Sequence, residues 1–193
     1  LGERIDSITA AFRHKDLRTH TAISHEDLGG ARVHAEKSGL AHFVLPNDIL
    51  CLREVRRLIN YLPSNNKQRA PILDLSDPAG RTDPALDYLV PENQNQSYDM
   101  KVLINSILDG AEFLEVHAHF ARNIICGFGR LGGQTIGIVA NQPAVLAGVL
   151  DNNASIKAAR FVRFCDAFNI PLICLVDVPG FMPGPEQEQG GII

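Results

Sequence analysis

The chain has 193 residues, 45% of them hydrophobic, with a net charge of −4 and a pI near 6.0. That is ample apolar material for a packed core and the wrong charge for a nucleic-acid footprint. No run approaches the roughly 18 consecutive apolar residues of a membrane span, so neither nucleic acid nor membrane is expected as a partner.

The chain opens on Leu1 rather than methionine, with no signal-peptide pattern behind it, and reads as an internal stretch of a longer protein. Leu1 to about Ile23 has mixed charge and no clear period. Leu28 to Val44 is punctuated by Gly29-Gly30 and Gly39, where a tight turn or a close backbone approach is expected. Asn47 to Leu62 reads as a helix. Asn47 or Asp48 caps it, Leu52, Val55, Ile59 and Leu62 form its apolar stripe, and Pro63 stops it. Pro63 to Ser97 is rich in proline, asparagine and aspartate, a long irregular connection and the expected domain boundary.

Met100, Leu103, Ile104, Ile107 and Leu108 then repeat at helical spacing, and Gly110 ends that helix. The period changes at Phe113–Val116, Asn123–Phe128 and Gln134–Asn141, three short strand-like runs. Asp151 to Phe168 returns to helix. Phe161, Phe164, Cys165 and Phe168 form its apolar face, with Lys157, Arg160, Arg163 and Asp166 expected to turn away. Pro171 to Val178 is a near-continuous apolar run, expected to be a strand buried on both faces. Strand, helix and strand in that order indicate α/β architecture with a crossover helix.

Several motifs invite chemistry that their context does not support. Gly127 to Gly132 spells GxGxxG, but a strand-like run follows where a dinucleotide site needs a helix, so a hairpin is the better reading. His117 and His119 lack a third ligand at motif spacing, and no metal is expected. His34 and His42 are expected to act only as local hydrogen-bonding groups; His14, His20 and His25 form no ligand pattern. Cys51, Cys126, Cys165 and Cys174 all sit among apolar neighbours and read as buried, reduced thiols. No nucleophile elbow or P-loop occurs. The segment Val178 to Gly184 differs from these. It follows a strand of the kind whose carboxyl end binds ligands, and its glycines let backbone N–H groups approach an oxyanion. A plain structural turn remains the alternative.

Asn141 to Ile193, ending in VDVPGFMPGPEQEQGGII, resembles the carboxyltransferase β subunits of biotin-dependent acyl-CoA carboxylases, those acting on propionyl-CoA above all. Upstream, HEDLGGARVHAEKSGLAHF, Asp77-Pro78, Arg81, Leu86, Val90-Pro91, Tyr98-Asp99-Met100 and Phe113-Leu114-Glu115 match further landmarks in the same order. The resemblance covers about Ser24 to Ile193. It implies a crotonase-like fold of tandem, related ββα-spiral domains. Residues 1–92 would close the first domain and residues 93–193 open the second.

It further implies a ligase-type activity that moves a carboxyl group from carboxybiotin to the α-carbon of a short-chain acyl-CoA. Enolate-like states would be held by backbone amides, and biotin itself would take the α-proton. Biotin would come on a separate carrier protein or domain. The implied partners are a biotin carboxylase or carrier subunit and further copies of the carboxyltransferase subunit. The implied compartment is bacterial cytoplasm or the mitochondrial matrix. Val178, Pro179, Gly180, Phe181, Pro183, Gly184, Gln187, Gly190 and Gly191 form the implied biotin-side loop, with the amides of Gly180 and Phe181 as its donors. Gln187, Glu188, Gly190 and Gly191 should open the next helix, with Glu188 as a helix-terminus anion. Leu1 to about Ile23 departs from the family, as do Gly129, where alanine is usual, and Pro185. The family's glycine pairs for the acyl-CoA and for biotin fall outside the 193 residues, so the chain alone is expected to lack transfer activity. A biotin-dependent acyl-CoA decarboxylase subunit and a non-catalytic protein of the same fold are the alternatives. Acyl-chain length is not legible.

Overall fold

A computed structural model describes residues 23–74, 77–78, 80–93 and 96–192. Residues 1–22, with His14 and His20 and nearly all of the divergent opening stretch, lie outside them, as does Ile193. Two short helices, α1 (His25–Gly29) and α2 (Ala31–Glu36), precede α3 (Asp48–Ile59). The carboxamide of Asn47 caps α3 by accepting from Leu50 N at 3.0 Å. Residues 63–99 are irregular where described, apart from a 3-10 turn at Pro84–Tyr88. Next come α4 (Met100–Ile107), β1 (Leu114–Val116), β2 (Ile124–Leu131), β3 (Gln134–Asn141), α5 (Asn152–Ala167), β4 (Leu172–Leu175) and α6 (Pro185–Gln189).

The four strands lie in sequence order. The β1–β2 and β2–β3 pairs are antiparallel, and β4 joins β3 in parallel after the crossover through α5. The GxGxxG run does form a hairpin. Gly127 and Gly129 lie inside β2, while Gly132 and Gly133 turn the chain with φ of 57° and 74°, both positive as a type I′ turn requires. The pleat sends alternate side chains to opposite faces. Leu114, Val116, Cys126 and Phe128 meet Phe161 and Cys165 of α5, together with Tyr61. Ile125, Ile136, Ile138 and Ala140 meet Met100, Ile104 and Leu108 around α4. A sheet between two apolar layers results, and β4 projects from its edge into the following loop.

Four expectations are corrected. Leu52, Val55 and Ile59 do not form the packed face of α3; they are 65%, 46% and 59% exposed, while Leu58 and Leu62 pack on the core with Tyr61. The stripe was read from spacing, and spacing cannot say which of two apolar edges finds a partner. β4 is not buried on both faces, because it is the outer strand of the sheet among the described residues and Cys174 is exposed. Cys51 is exposed too, so only Cys126 and Cys165 are buried thiols, each with burial pushing its pKa up to about 12. Lys157, expected in solvent, is 1% exposed.

Candidate functional site

The loop after β4 is held from three sides. At its start, Asp177 N donates to Asn141 Oδ1 at 3.3 Å, and Tyr98 Oη donates to Asp177 Oδ2 at 2.7 Å. Burial, then the hydrogen bond to Asp177 and its charge, push the Tyr98 phenol up to about 12, so it stays a neutral donor. Gly148 packs its backbone against the same corner; a Cβ there would lie 2.6 Å from Asp177 O. In mid-loop, Leu150 N donates to Gly180 O at 3.1 Å and Met182 N to Leu150 O at 2.7 Å, a one-residue parallel bridge between Leu150 and Phe181. At its end, Gln187 is spent on structure: its Oε1 accepts from Asn152 N at 2.9 Å and its carbonyl from Asn152 Nδ2 at 3.1 Å. Gly190 and Gly191 follow α6 and close it rather than open it, a correction to the expected role of that glycine pair.

Between these anchors, the N–H groups of Gly180 and Phe181 have no acceptor among the described residues. Gly180 has φ of 153° with nothing within 4 Å of the position a Cβ would take, and the Phe181 side chain is 55% exposed. The loop thus presents two free donors beside an open apolar surface. From Val176 to Ile192 the only charged side chains are Asp177, Glu186 and Glu188, all acidic. An anion bound at this loop would therefore owe its stabilisation from this stretch to the amide dipoles. Val178, Pro179, Pro183 and Gly184 shape the path, and Gly184 caps α6 with φ of 133°.

Tyr98, Asn141, Gly148, Leu150 and Asn152 escaped the sequence reading. Their signal is geometric, since each acts through hydrogen bonds or a close approach across a gap of many residues. Leu146, Ala147 and Gly148 also run together through positive φ (51°, 51° and 75°). An alternating or helical pattern cannot announce that.

His34 Nδ1 lies 3.0 Å from Ser38 Oγ. His117 is buried and lies tilted against His42 with ring centroids 4.0 Å apart, whereas His119 is exposed. Among the described residues no group of three or more His, Cys, Asp or Glu is placed to hold a metal. An apolar cavity of about 430 Å³ lies between His42, Leu58, Phe161 and Phe164. It borders the C-terminal half of α5, whereas the loop meets the N-terminus of that helix. No described helix is long and apolar enough to cross a membrane.

Comparison with known proteins gives the family and the fold. The carboxyl transferase domain family matches residues 8–193. The propionyl-CoA carboxylase beta chain of Roseobacter denitrificans is 54% identical over 175 residues, which is 91% of this chain and 34% of that one. The methylmalonyl-CoA decarboxylase subunit alpha of Veillonella parvula is 51% identical over the same shares. The human mitochondrial propionyl-CoA carboxylase beta chain is 50% identical over 91% of this chain and 32% of its own. Among solved structures, the hexameric transcarboxylase 12S with hydrolysed methylmalonyl-CoA bound superposes with a TM-score of 0.90 at 42% identity, covering 94% of this chain and 36% of that one. A single-chain, multi-domain long-chain acyl-CoA carboxylase gives 0.74 at 26% identity, over 90% of this chain and 17% of that one. The chain thus spans about a third of the length of the curated relatives it matches. The fold is the crotonase-like one of these carboxyltransferases.

Proposed function

The chain belongs to the carboxyl transferase family, and from that premise we propose that it supplies the biotin-side loop of an acyl-CoA carboxyltransferase subunit. The proposed reaction moves a carboxyl group from carboxybiotin to the α-carbon of a short-chain acyl-CoA such as propionyl-CoA. One observation carries the reading: the unengaged amides of Gly180 and Phe181, held at the carboxyl end of β4 by the Leu150 bridge.

Those residues fit biotin. The space around Gly180 is open, the Phe181 ring offers an apolar wall, and two N–H donors are left unengaged on a loop held by the Leu150 bridge. Biotin, brought by a separate carrier, would supply the transferable carboxyl group and a ureido oxygen on which negative charge develops. The chain's own part is electrostatic. Donors already in place need no reorganisation when charge develops, and a single such donor is worth roughly 10²- to 10³-fold in rate. Asp177 is committed to Tyr98, so it holds the corner rather than acting as a base. Further subunits of the same kind, a biotin carboxylase and a carrier are the partners this reading calls for. The hexamer of the transcarboxylase neighbour supports the first. Residues 1–92 and 93–193 as parts of two tandem domains belong to the same proposal.

A chimera tests it. Residues 24–192 replace the matching stretch of the Roseobacter denitrificans propionyl-CoA carboxylase beta chain, and the assembled enzyme is assayed with ATP, bicarbonate and propionyl-CoA. Transfer at a rate near that of the parent supports the proposal; an assembled but inert chimera rejects it. A decarboxylase subunit is the second reading, favoured by the 51% identity to the Veillonella parvula protein. The same loop would serve the reverse transfer, from methylmalonyl-CoA to biotin. Exchange into that relative, with decarboxylation followed instead, compares the two.

A further inference from the structure

Lys157 sits in the second turn of α5, one residue in four along a face otherwise given to the sheet, yet it is 1% exposed. Its Nζ donates to the carbonyls of His117 at 3.0 Å, Phe120 at 2.8 Å, Ala121 at 3.3 Å and Ile124 at 2.8 Å. No carboxylate lies within ion-pair distance of it among the described residues. A buried ammonium without a counter-ion is costly unless oxygens replace its water. Here the oxygens are all main-chain, gathered from one stretch between β1 and β2. That stretch is irregular in a way it could not easily keep alone, since His117 and Ala121 have φ of 55° and 43°. The ammonium therefore acts as a cation around which eight residues of backbone are wrapped.

The wrapped segment leads to the site. It includes Asn123, itself 2% exposed, whose Nδ2 donates to Val149 O at 2.8 Å and to Asp151 Oδ1 at 3.2 Å. The backbone between those two acceptors is Leu150, the residue that bridges to Gly180 and Met182. Asp151 caps α5 through Ala154 N at 2.8 Å, and Asn152 holds Gln187. Hydrogen bonds and short stretches of backbone thus link the Lys157 cage, through Asn123, to the middle and the end of the loop.

We propose that Lys157 is a positioning residue: an internal cation that organises the carbonyls of residues 117–124 and, through Asn123, sets the position of the Gly180–Phe181 loop. The inference deepens the functional reading above in naming that loop as the one positioned, and it rests on that reading only for what the loop binds. The loop's geometry can be measured whether or not it meets biotin.

The test is amide hydrogen exchange on the 193-residue chain, read at Leu150 and Met182, the two N–H groups of the bridge. In Lys157→Ala both exchange about tenfold faster or more, while Ile138 in β3 is unchanged. Propylammonium, which replaces the three methylenes and the charged nitrogen removed from Lys157, restores protection in Lys157→Ala. It has no effect on Asn123→Ala, which loosens the bridge with the cage intact. Lys157→Met keeps most of the side chain's length without its charge and loosens the bridge as Lys157→Ala does. Wild-type protection of Leu150 and Met182 in Lys157→Met overturns the cation role. Should Lys157→Ala not fold, Lys157→Met and Asn123→Ala carry the test, and unchanged exchange at the bridge in Asn123→Ala overturns the link to the loop. Failure of propylammonium to restore protection likewise overturns it. A loop that loosens as described in a chimera lacking carboxyl transfer would reject the functional reading and leave this one standing.

Discussion

Gly148→Ala tests how closely the backbone packs at the corner of the site. Gly148 has φ of 75°, and an added Cβ would lie 2.6 Å from Asp177 O against an ordinary contact of at least 3.4 Å. Two costs combine. The left-handed backbone costs an L-residue about 1–2 kcal/mol. Relieving an overlap of roughly 0.8 Å against backbone, which cannot rotate away as a side chain can, adds about 1–2 kcal/mol. The expected loss is about 2–4 kcal/mol, measured as the shift in unfolding free energy by urea titration. Gly132→Ala is the control: its φ is 57° with nothing within 4 Å of the new Cβ, so it bears the first cost alone. Equal losses for the two variants would refute the close approach of Gly148 to Asp177. The Tyr98–Asp177 bond, 2.7 Å long, should also weaken in Gly148→Ala, visible as a tyrosine absorbance titration shifted toward the ordinary phenol range.

Further outcomes follow from burial and charge. Burial first, then the charges of His42, Lys157 and Arg160, hold the His117 imidazole down to about 4, against 6.5 unfolded. Its contribution is full above pH 6.5 and is lost as pH falls toward 4, because only the unfolded chain takes up that proton in this window; about 3 kcal/mol is at stake. His117→Asn, which tolerates the positive φ, should flatten the pH dependence of the urea midpoint there, and an unchanged slope would contradict the assignment. With a thiol reagent in native buffer, Cys51 and Cys174 react, whereas Cys126 and Cys165 react only after unfolding. Gly129→Ala places a Cβ 2.5 Å from Leu108 Cδ2 and should cost about 1–2 kcal/mol, mostly recovered by adding Leu108→Val. Absence of any recovery would show that Leu108 is not what resists the alanine.

The elements that the sequence made legible share one property: their signal is local. Asn47 announces a helix start, and its side chain does accept from the first turn. The Gly132-Gly133 turn and the α4 stripe are readable for the same reason, one from backbone chemistry and the other from period. What failed was everything decided between elements. The apolar edge of α3 at Leu52, Val55 and Ile59 is as regular as the one that packs, and only Tyr61 and the sheet decide between them. Lys157 has the composition of a solvated face, yet four carbonyls from a distant loop draw it inside. In the site itself, the Gly/Pro loop was visible as a loop. Its anchors, Tyr98, Asn141, Leu150 and Gln187, are spread over ninety residues; Tyr98 and Gln187 fall in stretches the resemblance matches, but no spacing ties the four together. The family resemblance pointed to the loop but assigned Gly190 and Gly191 to a helix opening that the backbone places at a helix end.

The central claim is that the N–H of Phe181 is a donor to charge developing during carboxyl transfer. Incorporating the α-hydroxy analogue of phenylalanine at position 181 of the chimera replaces that N–H with an ester oxygen and keeps the side chain. The account predicts a fall in kcat for carboxylation of propionyl-CoA of roughly 10²-fold, with assembly unchanged. A rate within about twofold of the unmodified chimera, well below the worth of a lost oxyanion donor, would contradict it.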